Sequence, residues 1–235
     1  MTTQFPLPQQ RRSFFTRLNA GAASLAALAI GGVALAQDKS TPATRWEPTR
    51  HEKDDWLDKL PGKHRLVFDT TNHDGVADAL LFANNFLRVN RTDYGLQSGD
   101  LAIVIVVRHR STPFGYNDAM WAKYGVTLAA RAQFEDPKTK LAPKSNVYNS
   151  NSSGDSSANR GTTLDALSKE GVQLAVCSTS TRGYAGAIAE ATGGNADTIF
   201  NELTANLVVP TSRMVPAGIV AVNRAQERGY SLVNT

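Results

Sequence analysis

The run Leu101–Val107 constrains the fold of this chain more than any other feature, because all of its residues are aliphatic. It follows the turn sequence Ser98-Gly99-Asp100 and is rich in β-branched side chains. Continuous apolar runs of this length are typical of strands in a parallel sheet that is covered on both faces. A strand with one solvent face would instead alternate polar and apolar residues. The run therefore predicts a central strand between two layers of helices.

Strands and helices alternate along the chain around this run. Apolar spacing and turn residues predict further strands at 64–69, 172–177, 206–209 and 230–233. The same signals predict helices at 74–90, 116–124, 164–169 and 216–227. Another helix is expected to begin near Arg182 or Tyr184, and the helical pattern continues through 199–203. Gly229 is expected to end the last helix. This alternation predicts an α/β fold with three layers: a mainly parallel sheet with helices on both faces, in a flavodoxin-like arrangement.

The first 36 residues have the pattern of an export signal. A positive segment without acidic residues, an apolar Ala- and Gly-rich stretch at about 18–35 and a small-x-small cleavage site follow one another. The positive segment contains Arg11-Arg12-Ser13-Phe14-Phe15, which resembles the twin-arginine translocation signal and implies export to the periplasm in a folded state. A general secretory signal is the alternative. The apolar stretch is short and interrupted by glycines, so no stable membrane span is expected after cleavage.

The net charge of the chain comes mostly from this signal. The whole chain carries 25 Lys and Arg against 21 Asp and Glu, a net charge of +4, and residues 1–36 contain three arginines and no acid. Their removal leaves a charge of about +1 on a mature chain of about 200 residues. A near-neutral domain gives no electrostatic reason to expect nucleic acid as a partner.

Two polar segments flank the regular part of the mature chain. Residues 37–63 are polar and proline-containing, and we expect an extended N-terminal arm with a short helix near 54–60, held to the domain by Trp46 and Trp56. The α/β domain is expected at 64–235. Residues of about 135–160 include a long Asn, Ser and Gly tract, which predicts a flexible insertion.

Function in open parallel sheets lies at the carboxyl ends of the strands. The residues that follow the predicted strands are Asp69 to His73, Arg108 to Ser111, Cys177 to Thr179 and Thr211 to Met214. These loops are therefore expected to share one edge. The glycines form no phosphate-cradling or dinucleotide-binding pattern, and no Gly-x-Ser-x-Gly motif is present, so neither a bound cofactor nor a serine hydrolase is expected.

The second half of the chain resembles a known family. Three segments are similar to the DsrE/DsrF-like family, which includes TusD-type sulfur-relay proteins. They are residues 171–177, which end in Cys177, then Val215-Pro216-Ala217-Gly218, and then Gly229-Tyr230. The resemblance covers most of residues 64–233. It implies a homo-oligomer, a cysteine that carries sulfur as a persulfide at the position of Cys177, and a sulfur-transfer or redox partner protein.

Cys177 is the only cysteine of the chain, so it cannot form an internal disulfide. The functional interpretation is a nucleophilic or sulfur-carrying thiolate, stabilised by the start of the next helix and by Arg182. The alternative is an inert buried side chain, since cysteine is among the most buried residue types. Arg108 and His109 are candidates for binding an anion such as a sulfur oxyanion or for tuning the thiol, and His73 is a further candidate.

Two other classes of function are open at this edge. The first is a non-catalytic binding module that uses the strand-end loops and the 135–160 insertion as its contact surface. The second is a copper-type metal site, for which His73, His109, Cys177 and Met214 are the possible ligands. No close spacing of histidine or cysteine ligands supports such a site, and no metal ligands are assigned.

Overall fold

The computed structural model describes residues 47–149 and 159–235. Five parallel strands form one sheet in the order β4-β3-β2-β1-β5. The strands are β1 His64–Thr70, β2 Leu101–Val107, β3 Gln173–Cys177, β4 Ser212–Val215 and β5 Ser231–Asn234. The helices are α1 Trp56–Lys59, α2 His73–Tyr94, α3 Asp118–Ala132, α4 Leu164–Lys169, α5 Ser178–Thr192, α6 Ala196–Ala205 and α7 Gly218–Gln226. The predicted parallel α/β fold is confirmed.

Helices cover both faces of this sheet and give the fold three layers. The larger core joins α2 to α6 with one set of β2 side chains, Ile103, Ile105 and Val107. The smaller core joins α1 and α7 with the alternate set, Ala102, Val104 and Val106. All seven residues of β2 are therefore buried, as its continuous apolar sequence predicts for a strand covered on both faces.

The strand register brings the loops of interest to one edge. Thr70 at the end of β1 is opposite Val107 at the end of β2, and Val107 is opposite Val176 in β3. Cys177, the last residue of β3, is opposite Val215, the last residue of β4. The loops after β1, β2, β3 and β4 consequently lie at the same carboxyl edge.

The predicted strand at 206–209 is wrong, because the fourth strand is β4 at Ser212–Val215. The apolar pair Val208 and Val209 is buried in a loop instead, where Val208 N–H donates to the carbonyl of Gly115. Pro210, which has no N–H for a ladder, follows this pair. β4 is an edge strand with only one neighbour, so a short and partly polar sequence is sufficient for it.

Two helix boundaries also differ from the prediction. α5 begins at Ser178, directly after Cys177, and not near Arg182 or Tyr184. The Cys177 side chain is its N-cap, a role that sequence patterns assign to Ser, Thr, Asp or Asn. α3 runs from Asp118 to Ala132, well beyond the predicted end at 124.

The polar flanking segments contact the domain where the structure describes them. Leu57 of α1 is buried in the smaller core, and Trp56 packs against it. Within the insertion, the Asn146 amide donates to the carbonyls of Phe114 and Tyr116 at 2.8 Å each, and Tyr148 is buried. Residues 150–158, the export signal and Trp46 lie outside the described residues. Among the residues described, no helix combines the length and the apolar character that a membrane crossing requires.

Candidate functional site

Cys177 lies at the junction of β3 and α5, in the middle of the carboxyl edge. Its Sγ accepts the backbone N–H of Ser180 at 3.4 Å, which places the sulfur at the positive end of α5. Only 5% of the residue is exposed. The thiol is therefore held next to a backbone donor, and a reagent would reach it only after a neighbouring loop had moved.

Hydrogen bonds from three directions fix the backbone around Cys177. The Thr181 hydroxyl donates to the Cys177 carbonyl at 2.9 Å, and the buried Tyr116 hydroxyl donates to Thr181 Oγ1 at 2.9 Å. The Thr179 side chain donates to the carbonyl of Pro216 at 3.1 Å. Burial raises the pKa of Tyr116 above its usual range, so this tyrosine keeps its proton and remains a donor. The first turn of α5 is consequently tied to both neighbouring loops.

Arg108 forms the charged part of the site with Asp69. Two of the three guanidinium nitrogens of Arg108, Nε and Nη2, donate to the two Asp69 carboxylate oxygens at 2.7 and 2.8 Å, a bidentate pair in which Asp69 is buried. The hydrogen bond from Asp69 raises the pKa of Arg108, and the charges of Asp69 and of an ionised Cys177 act in the same direction. Arg108 thus lies within electrostatic range of the thiol, and its charge is balanced by Asp69.

Gly218, the first residue of α7, makes room for the Arg108 side chain. A Cβ atom at Gly218 would lie 2.6 Å from Arg108 Cβ and 3.0 Å from its Cδ. Ser111 supports the other side of the same loop, because its Oγ accepts the N–H of Arg108 at 2.8 Å and lies 2.9 Å from Thr70 Oγ1. Arg108 is therefore enclosed by α7, β1 and its own loop.

His109 lies beside this pair in the 3₁₀ segment His109–Gly115, with its side chain exposed. Its backbone φ is 58°, a left-handed conformation that is uncommon outside glycine, and its N–H donates to Ser180 Oγ at 2.9 Å. His73 lies at the start of α2 with Nδ1 3.2 Å from the Asp74 carboxylate and its ring 5.0 Å from that of Phe134. Both histidines therefore lie at the carboxyl edge.

The structure does not bring Arg182 to the thiol. Its guanidinium lies 4.0 Å from the centroid of the Phe200 ring and 3.6 Å from the Asp197 carboxylate, so it packs on α6. The predicted strand-end loop 211–214 is also not a loop at this edge, because 212–214 are part of β4. Met214 packs against the larger core, and Arg213 lies over the Trp56 ring at 4.3 Å. Met214 is thus a partly buried side chain that packs against the core.

Metal-ligating side chains are not clustered in the described part of the chain. No group of three or more His, Cys, Asp or Glu residues is arranged to hold an ion within 47–149 and 159–235. Sequence reasoning missed Tyr116, Thr181 and Gly218 as parts of the site. Gly218 carried a signal, because it belongs to the Val-Pro-Ala-Gly segment of the family resemblance. Tyr116 and Thr181 carried none, because a hydrogen bond between hydroxyl groups that are distant in sequence leaves no local pattern.

Comparisons with known proteins add no assignment of function. No protein-family profile matches the chain. No functionally curated protein matches it either. A solved structure from Methanobacterium thermoautotrophicum, of the protein of unknown function MTH1491, is 18% identical and aligns over 74% of this chain and 100% of that one, with a TM-score of 0.36.

Proposed function

We propose that this chain is an exported, periplasmic DsrE-like protein in which Cys177 carries sulfur or exchanges thiols with a partner protein. The observation that supports the proposal is the position of Sγ at the N-terminus of α5, bonded to the Ser180 amide and within electrostatic range of Arg108. Backbone donors at a helix start favour a thiolate, which is the nucleophilic form of cysteine. Because Asp69 balances the charge of Arg108, the α5 amides are the main stabilising groups.

The proposed exchange conserves atoms and electrons. The Cys177 thiolate attacks the outer sulfur of a persulfide on the donor, the donor S–S bond breaks, and the donor leaves as a thiolate. Cys177 then holds the transferred sulfur as a persulfide. Near-complete burial of Cys177 would protect this persulfide from solvent, and transfer would require the partner to displace a strand-end loop. We propose a homo-oligomer on the family resemblance alone, with export by the twin-arginine route.

A variant of Ser180 tests whether the α5 amide stabilises the thiolate. Ser180→Pro removes the N–H that Sγ accepts, and proline is tolerated in the first turn of a helix. A hydrogen bond to a charged group is worth about 1.5 kcal/mol or more, so Ser180→Pro should lower the rate of alkylation of Cys177 by about tenfold. Ser180→Ala keeps the N–H and is the matched control.

The measurement is the rate at which iodoacetamide alkylates Cys177 in the folded protein, followed by intact mass at a fixed pH. The proposal expects Ser180→Ala to react at the rate of the wild type. Equal rates for Ser180→Pro and Ser180→Ala would argue against a role of the amide.

The second candidate function is a non-catalytic binding module. The low exposure of Cys177 favours it, because an inert core cysteine would have the same burial. In that case the strand-end loops and the 135–160 insertion would form the contact surface. This candidate expects Cys177→Ser to bind its partners as the wild type does.

A further inference from the structure

One flank of α2 carries apolar side chains that reach the surface. Phe82 is 43% exposed, and Phe86 and Val89 are partly buried. Phe82 and Val89 are seven residues apart and Phe86 lies one turn after Phe82, so these three side chains share one side of the helix and form the α2 stripe. Single exposed apolar side chains are ordinary, but a contiguous stripe on one helix is typical of a surface that packs against a partner.

Contacts on the two flanks of α2 show that the α2 stripe lies at the β5 edge of the sheet. Gly75 is seven residues before Phe82 and thus on the same side of the helix, and a Cβ there would lie 2.5 Å from the backbone oxygen of Thr235, the residue after β5. Arg91 is nine residues after Phe82, which is half a turn away, and its Nη2 donates to Glu170 at the end of α4 at 2.7 Å. β5 is an edge strand that pairs only with β1. The stripe therefore faces the side on which the sheet ends.

Two exposed charges on α2 stand on either side of Phe82 along the helix. Asp78 lies one turn before Phe82 and Arg88 six residues after it, and neither has an ion-pair partner within 47–149 and 159–235. Their order is self-complementary, because a second α2 that runs antiparallel brings its own Arg88 opposite Asp78 and its own Asp78 opposite Arg88. A parallel second helix would bring like charges together, which is unfavourable.

We propose that the α2 stripe is the contact between two copies of this chain, in a two-fold symmetric dimer with antiparallel α2 helices. A two-fold axis that passes between residues 83 and 84 meets both requirements of the helix. It brings Phe82 opposite Phe86 of the second copy, and Asp78 opposite Arg88 of the second copy, each with an offset along the helix of about 1.5 Å. The apolar stripe supplies the centre of the interface, and two ion pairs flank it. This match of the charge pattern to itself identifies a second copy as the occupant.

This inference rests on the homo-oligomer of the proposed function and supplies its interface, but it does not involve the thiol. Cys177 is in β3, which β2 and β1 separate from β5. An antiparallel pair of α2 helices points the carboxyl edges of the two sheets in opposite directions, so both edges stay open to other proteins. Cys177→Ser is therefore expected to associate as the wild type does, whether or not Cys177 carries sulfur. Loss of the dimer in Cys177→Ser would indicate an intermolecular disulfide and would overturn the α2 interface.

Sedimentation velocity of the protein purified from its native compartment, at concentrations from about 1 to 100 μM, tests the interface. A stripe on one helix is smaller than the standard interface of about 800 Å² per partner, so we expect a dimer that dissociates on dilution within this range. Phe82→Glu should weaken association at least about thirtyfold, because it places a charge at the centre of the contact. Val126→Glu is the matched control and should associate as the wild type does, since Val126 is 77% exposed on α3.

Reversal of the two charges tests the antiparallel arrangement. Asp78→Arg and Arg88→Asp should each weaken association about tenfold, because each turns two symmetric attractions into repulsions. The double variant Asp78→Arg with Arg88→Asp should associate as the wild type does. The proposal is overturned if the double variant stays as weak as the single ones, or if the wild type is a monomer at every concentration. If Phe82→Glu fails to fold, the charge reversals decide alone, because they change only exposed side chains.

Discussion

Replacing Asp69 with asparagine is expected to lower the free energy of unfolding by about 3 kcal/mol or more. Asp69 is buried and accepts two hydrogen bonds from Arg108, so the change leaves a partly buried guanidinium without its counter-charge. Breaking a buried pair on one side is far more costly than removing the pair as a whole. The measurement is the unfolding free energy from urea denaturation at neutral pH.

Two further variants test whether the stranded charge of Arg108 causes the loss of stability. Asp165→Asn breaks the exposed pair between Asp165 and Lys169 and should cost less than about 0.5 kcal/mol. The double variant Asp69→Asn with Arg108→Met removes the stranded charge and should recover part of the loss. A cost for Asp69→Asn that is no larger than that for Asp165→Asn would contradict the structural role assigned to the pair.

The variant Gly218→Ala is expected to lower the free energy of unfolding by about 1–3 kcal/mol. The new Cβ would lie 2.6 Å from Arg108 Cβ and 3.2 Å from Val106 Cγ1, so α7 must shift away from the sheet. Arg108 directly follows β2, and its Cβ is bonded to the backbone, so this atom cannot move away without a shift of the backbone itself. The shift should be visible as a loss of protection from hydrogen exchange in α7.

Gly186→Ala is the matched control for this steric effect. Gly186 lies within α5, and a Cβ there meets no atom within 4 Å. Alanine lowers the entropy of the unfolded chain and is a better helix former, so this variant should be neutral or more stable by up to about 1 kcal/mol. Equal destabilisation by both variants would show that the contact of Gly218 with Arg108 is not the cause.

The sequence predicts the parts of the fold that are governed by local pattern. Leu101–Val107 is apolar throughout because both faces of β2 are buried, and its position in the sheet is confirmed. The helix α4 occurs at the predicted residues 164–169, and Gly229, with a φ of 80°, follows the last helix as expected. Periodicity and turn chemistry are sufficient for these elements because no distant contact overrides them.

Elements governed by distant contacts were placed wrongly. β4 pairs only with β3 and has a partly polar sequence, while the more strand-like Val208 and Val209 are buried in a loop. The start of α5 was missed because a cysteine side chain, and not a usual capping residue, accepts the Ser180 amide.

The candidate site shows the same division. The rule that function lies at strand carboxyl ends brought Cys177, Arg108 and His109 onto one list, and all three lie at this edge of the sheet. The same rule points to Met214, which lies inside β4. Arg182, which the sequence places beside the thiol, packs on Phe200 instead. The direction of a long side chain depends on tertiary packing that a single sequence does not encode in any local pattern.

Intact mass spectrometry of the protein purified from its native compartment, with and without reductant, tests the central proposal most directly. Sulfur carriage predicts a gain in mass of about one or more sulfur atoms that localises to Cys177 and disappears on reduction. Cys177→Ser, purified in parallel, should lack this gain. An unmodified Cys177 that also resists alkylation in the folded protein would contradict sulfur carriage and would support the non-catalytic binding module.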